Sequence, residues 1–121
     1  MTSQAELSEI SASLHDEYFD IDRLDYDVER REVRLPIFRG RWRKGLFWWT
    51  GRPPEASTPP FCALVVRGVE EVIVNDDAEI GLYDIGSVEY DDESHVVRIR
   101  SNVPCEIIAR CTRLDVERID A

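Results

Sequence analysis

From residue 18 onward, apolar residues recur at every second position, and the chain reads as a succession of β-strands. Phe19 and Ile21 alternate with Asp20 and Asp22, and Leu24 and Tyr26 continue the run. Val33, Leu35 and Ile37 alternate with Arg34 and Pro36. These two runs predict an antiparallel hairpin turning at 27–31. Pro36 has no N–H to give to a ladder, so its strand is expected at a sheet edge or with a bulge. Residues 61–67 are apolar on both faces, as in a buried central strand. Gly68 breaks that run, and alternation resumes over 69–75, followed by a polar loop to residue 82. Residues 83–90 have weaker strand character. The acidic turn at 91–94 leads into a strand at 95–100 with Val97 and Ile99 inward. Cys105, Ile107, Ala109 and Cys111 share one face of the next strand, and Leu114, Val116 and Ile119 belong to the last.

Only the first residues follow another period. Ser3 and Glu6 have the spacing of a capping box, and Leu7, Ile10 and Leu14 fall on one helical face, predicting a helix over 3–14. No strand–helix alternation follows. The expected fold is therefore mainly β: residues 1–121 form a single domain, an antiparallel β-sandwich or partly open barrel with one short N-terminal helix.

Composition adds a discontinuity to this picture. The chain has 25 acidic and 15 basic residues, a net charge of −10. Residues 39–52 hold all three tryptophans and five of the basic residues, with no acid. The remainder has ten basic residues against 25 acids, a balance of −15. A surface this acidic is unsuited to nucleic acid or to an anionic membrane, whose phosphates need clustered positive charge. No segment is apolar enough to span a bilayer or to serve as a signal peptide, and the expected location is cytoplasmic. The odd number of cysteines, Cys62, Cys105 and Cys111, all in apolar strands, reads as reduced core thiols.

Catalytic chemistry finds little to stand on. His15 is expected to cap the helix C-terminus, and His95 sits beside an acidic turn. Neither lies in a recognisable nucleophile–base–acid arrangement. There is no Cys-x-x-Cys or His-x-x-x-His pair, so no metal site is assigned. Cys105 and Cys111 are about 20 Å apart along an extended strand, too far to share a zinc ion. The oxygen-rich loop at 75–81 fails the EF-hand pattern, with glycine at the seventh position and Gly86 at the twelfth. No phosphate loop is present, and no cofactor is expected. The chain is expected not to be an enzyme.

The basic aromatic segment is the remaining candidate. Arginines beside tryptophans stack on planar ligands or sugars, bind anions, or anchor interfaces. The candidate binding residues are Arg41, Trp42, Arg43, Trp48, Trp49 and Arg52. Residues 46–50 read as a short strand, after which four prolines within 51–60 form a loop. The same residues also suit a hairpin whose tryptophans simply pack inward.

Leu-His-Asp at 14–16, Gly-Val-Glu-Glu-Val at 68–72, Ile-Gly-Leu-Tyr-Asp-Ile at 80–85, Val-Glu-Tyr-Asp at 88–91 and Ser-Asn-Val-Pro-Cys-Glu-Ile at 101–107 resemble small bacterial proteins of the YxiG-like kind. The resemblance covers about two thirds of the chain and stops at residues 39–60. Some such proteins look like neighbours of polymorphic toxins, so it implies an immunity or interaction role and transfers no catalytic residue. The expected function is contact with a protein partner, either a basic toxin-like protein or a second copy in a homodimer. The alternative is a module that binds a sugar or an anionic metabolite through the Arg/Trp segment.

Overall fold

The computed structural model describes residues 2–39, 60–77, 79, 81–102 and 104–120. Helix α1 (Gln4–Leu14) opens the chain, with the Ser3 hydroxyl accepting from the Glu6 amide as the capping box predicts. Leu7 and Leu14 are the helix residues that become buried. The strands follow as β1 (Tyr18–Asp20), β2 (Asp25–Asp27), β3 (Glu32–Ile37), β4 (Cys62–Arg67), β5 (Val69–Asp76), β6 (Leu82–Asp84), β7 (Ser87–Asp91), β8 (Val96–Arg100), β9 (Cys105–Cys111) and β10 (Val116–Asp120).

Every pairing is antiparallel. One four-stranded sheet has the order β10–β4–β3–β2, a second has β5–β9–β8–β7, and β1 pairs with β6 in a two-stranded piece. The sheets do not close, so of the two expected architectures the sandwich is the one adopted. The core lies between the inward faces. Val33, Leu35, Ile37, Leu64 and Val66 come from one sheet, and Val97, Ile99, Ile107, Ala109 and Cys111 from the other. Phe19, Tyr83 and Ile85 join this core, with the Phe19 and Tyr83 ring centroids 5.8 Å apart.

Strand β4 is interior, and its residues Cys62 to Val66 are all buried, as its unbroken apolar run predicts. Gly68 then carries the chain between the sheets. Its φ of +72° suits glycine, and an added Cβ would stand 3.2 Å from the Thr112 hydroxyl.

Three expectations are refined. The run from Phe19 to Tyr26 is not one strand: a 3-10 turn at Ile21–Arg23, capped by the Asp20 carboxylate, splits it. β2 makes the predicted hairpin with β3, while β1 turns to β6. Residues 83–90 likewise divide, between β6 and β7. Pro36 lies on the interior strand β3 with no register break, not on an edge strand. It is tolerated because β2 pairs only as far as Arg34, so β3 at Pro36 has a ladder partner only on the β4 side.

Candidate functional site

The six residues singled out by sequence, Arg41, Trp42, Arg43, Trp48, Trp49 and Arg52, lie outside the described residues, as does the strand expected at 46–50. The positions flanking that segment are described, and they continue its chemistry. Residues 38 and 61 meet at the end of the β3–β4 ladder, where the Phe61 amide donates to the Ile37 carbonyl at 3.0 Å. The Arg39 guanidinium stands 4.4 Å from the Phe61 ring centroid and that of Arg118 stands 5.3 Å from it. Arg23 lies 4.9 Å from the Phe38 ring. Among the described residues, arginine therefore stacks on phenylalanine rings at this end of the sheet. The pairing of Arg39 with Phe61 spans the whole segment and could not be read from local spacing.

The thiols offer no nucleophile. Cys62, Cys105 and Cys111 are free and buried. Burial pushes each thiol up to about 11, so all three stay protonated at neutral pH. The histidines have structural contacts. His15 follows the last turn of α1, its amide donating to the Ala12 carbonyl and its Nδ1 standing 3.1 Å from the Gly86 carbonyl. Its Nε2 reaches the Asp16 carboxylate at 3.6 Å. Asp16 is in a left-handed turn (φ +67°), which swings the two side chains together on the exposed surface. His95 Nδ1 lies 3.3 Å from the Tyr90 hydroxyl. Among the described residues no group of three or more His, Cys, Asp or Glu side chains is arranged to hold a metal ion. In the 75–81 loop, Asp76 Oδ1 accepts from the Tyr83 hydroxyl and from the Glu79 amide, which engages that oxygen within the fold.

Asp84, at the end of β6, is a densely bonded carboxylate. It accepts from the Ser101 hydroxyl at 2.7 Å, the Asn102 side-chain amide at 2.5 Å and the Asn102 backbone amide at 3.3 Å. Burial opposes its ionisation, but the hydrogen bonds from Asn102 and Ser101 together outweigh that and hold its pKa below the usual aspartate value. Beside it, Gly86 approaches so closely that a Cβ would stand 2.9 Å from Asn102 Oδ1 and 3.1 Å from the Arg100 carbonyl. Asp84 is a tie between β6 and the β8–β9 turn, with both of its oxygens engaged.

A groove of about 510 Å³ runs between α1 and β7, lined in part by Gln4, Ser8, Glu89, Tyr90, Asp91 and Arg98. Its cations are already paired. Arg98 meets Glu106 at 3.0 Å, and Arg100 meets Glu106 at 2.9 Å and Glu89 at 3.5 Å. This open, polar lining differs from the apolar enclosure typical of small-ligand sites.

The sheet edges differ more. Among the described residues only three large hydrophobic side chains are exposed: Val28, Ile73 (45%) and Val74 (40%). The last two are neighbours on β5, an edge strand. Sequence reading passed over this feature, although the signal is present: Val72, Ile73 and Val74 interrupt the alternation and stand between acids on both sides.

No helix among the described residues is long and apolar enough to cross a membrane. No protein-family model matches the chain, and comparison with curated proteins and with solved structures finds no significant match.

Proposed function

We propose that this chain is a non-enzymatic, cytoplasmic binding protein that engages a basic protein partner, in the manner of an immunity protein. The observation that carries the reading is the charge balance of −15 outside residues 39–52. Much of that charge is laid out on the surface: Glu29, Glu70, Asp77, Glu79, Asp92 and Glu93 are all exposed. Such a surface accelerates encounter with a cationic partner and rejects acidic ones. The resemblance to toxin-neighbour proteins supports the same role.

The test is cross-linking of the tagged protein in its native cells, followed by titration of the purified pair with salt. The reading expects a partner rich in Lys and Arg whose association weakens by about tenfold or more from about 0.05 to 0.5 M salt. A partner that binds independently of salt would sink it.

A second reading is favoured by the stacking of Arg39 and Arg118 about Phe61. Here Arg41, Trp42, Arg43, Trp48, Trp49 and Arg52 bind a sugar or an anionic metabolite. Tryptophan fluorescence that shifts on screening such compounds, with the shift lost in Trp42→Ala, would support it. A flat response across the screen removes it.

A further inference from the structure

We infer that β5 is a docking edge, to which an extended segment of the basic partner adds as a further strand, with apolar residues at its centre and Lys or Arg at both ends. The inference rests on the proposed basic partner and goes further by naming where and how it binds.

The argument begins with what covers the other edges. Strand β7 has α1 along it, and the Val88 amide donates to the Ser11 hydroxyl at 2.9 Å. On β10, the Thr2 hydroxyl donates to the Val116 carbonyl and accepts from the Val116 amide, both at 2.8 Å. Strand β2 is three residues long and carries Asp25 and Asp27. Short length, charge and a covering element are the usual protections of an edge. Strand β5 is eight residues long, and among the described residues no strand pairs with its outer side.

Its geometry is suited to pairing. The one irregularity against β9 is a bulge between Val69 and Glu71. From Glu71 to Asp76 the register is continuous, six residues or roughly 20 Å, the length of an ordinary strand. Ile73 stands opposite Ile108 on the outer face of the sheet, and Val74 stands opposite Ile107 on the core side. An added strand therefore covers apolar surface on both faces while it gains main-chain hydrogen bonds. That combination is the basis of recognition by strand addition.

Charge selects the occupant. Glu70 and Glu71 precede the apolar centre, and Asp76, Asp77 and Glu79 follow it. Glu71 is paired with Arg110, and Asp76 accepts from Tyr83. Glu70 and Asp77 are exposed at the two ends. A second copy of β5 fits poorly. Antiparallel pairing centred on Ile73 sets Glu70 opposite Asp76, and in-register parallel pairing sets glutamate against glutamate. Like charges directly opposite destabilise a ladder. A strand with cationic ends meets carboxylates at both ends, so the charges that disfavour self-pairing through this edge admit a basic partner.

The probe is a nine-residue peptide: two lysines, five alternating valines and threonines, then two arginines. Its controls are the same peptide with glutamates at the ends and one with alternate backbone amides methylated. Hydrogen exchange with the whole protein should show new protection confined to residues 70–76, and both controls should bind at least tenfold more weakly. Ile73→Lys should weaken binding about tenfold or more, as should the double variant Glu70→Lys, Asp77→Lys, which leaves the apolar side chains untouched. Glu93→Lys, on the β7–β8 turn, should change it little.

Absent binding, protection elsewhere, or indifference to both edge variants overturns the inference. So does sedimentation of the free protein as a dimer that Ile73→Lys dissolves. A cross-linked basic partner that binds Ile73→Lys as tightly as the parent refutes the edge and leaves the basic-partner reading standing. Peptide binding as described, with only salt-independent partners recovered, has the opposite meaning.

Discussion

The two edges of one sheet, β7 and β5, end in different ways. Along β7 lies α1, anchored by Leu7 and Leu14, and a helix hydroxyl accepts an amide of the strand. Along the outer side of β5 no strand is paired among the described residues; the Arg31 carbonyl and the Tyr26 hydroxyl engage Val69 at its start, and beyond that residue the protection is one bulge and flanking carboxylates. A helix closes an edge to every partner. Carboxylates close it only to other acids, and therefore confer selectivity. Stability should thus concentrate at the β7 side and recognition at the β5 side, and substitutions at the two edges should separate these properties.

The largest effect is expected at Leu14, whose side chain is fully buried where α1 ends. Leu14→Ala should lower unfolding free energy by about 2–5 kcal/mol, the range for a leucine removed from a packed core. Urea denaturation measures it. A loss under about 1 kcal/mol would mean that α1 is loosely attached and that the two edges are alike.

The next effect tests the tie that holds β6 to the β8–β9 turn between them. Asp84→Asn keeps the shape but loses the charge that Ser101 and Asn102 address, and about 1.5 kcal/mol should be lost at neutral pH. The pH dependence has a definite sign. Because the folded pKa of Asp84 lies below its unfolded value of 3.8, its stabilisation is present above that value. It is lost as pH falls through 3.8 towards the folded pKa. The gap in urea midpoint between parent and Asp84→Asn should therefore narrow between about pH 5 and pH 3. A constant gap would show that the charge is not what the tie uses.

Much of the fold is legible in the sequence because burial imposes period two on strands with one wet face. The inward cysteines of β9 follow from it, while the unbroken run from Cys62 to Val66 marks a strand with no wet face and the capping box at Ser3 and Glu6 marks the helix. What was not legible depends on partners far apart in the chain. Three-residue strands such as β1 and β6 carry too few positions to announce a pairing. Asp84 meets Asn102 across 18 residues, and Arg39 meets Phe61 across the whole basic segment. The candidate site divides in the same way. Composition drew attention to residues 41–52, which are not described, while Ile73 and Val74 looked like one more strand until their neighbours were known. A side chain's exposure on an edge strand is a property of the sheet order, and no local pattern encodes that order.

A smaller effect is expected at Ser11. Ser11→Ala leaves the Val88 amide without its acceptor at a part-buried position, at a cost of about 1 kcal/mol. Hydrogen exchange at Val88 should accelerate while the amides of β5 are unchanged. Equal acceleration on both strands would indicate that the sheet opens as one unit and that the edges are not independent.

The smallest effect on stability belongs to a substitution expected to weaken recognition about tenfold or more. Ile73 is 45% exposed, so Ile73→Lys removes little buried surface. What it forfeits is part of the cross-strand contact with Ile108, and the long methylene stem of lysine can still lie across that neighbour. Unfolding free energy should change by no more than about 0.5 kcal/mol, the range for surface positions. A lysine on an edge strand is also a natural guard against added strands, because pairing would strip water from its charge. If Ile73→Lys instead costs 2 kcal/mol or more, the isoleucine is acting as a core residue of the outer face, and β5 is closed by packing as firmly as β7 is closed by its helix.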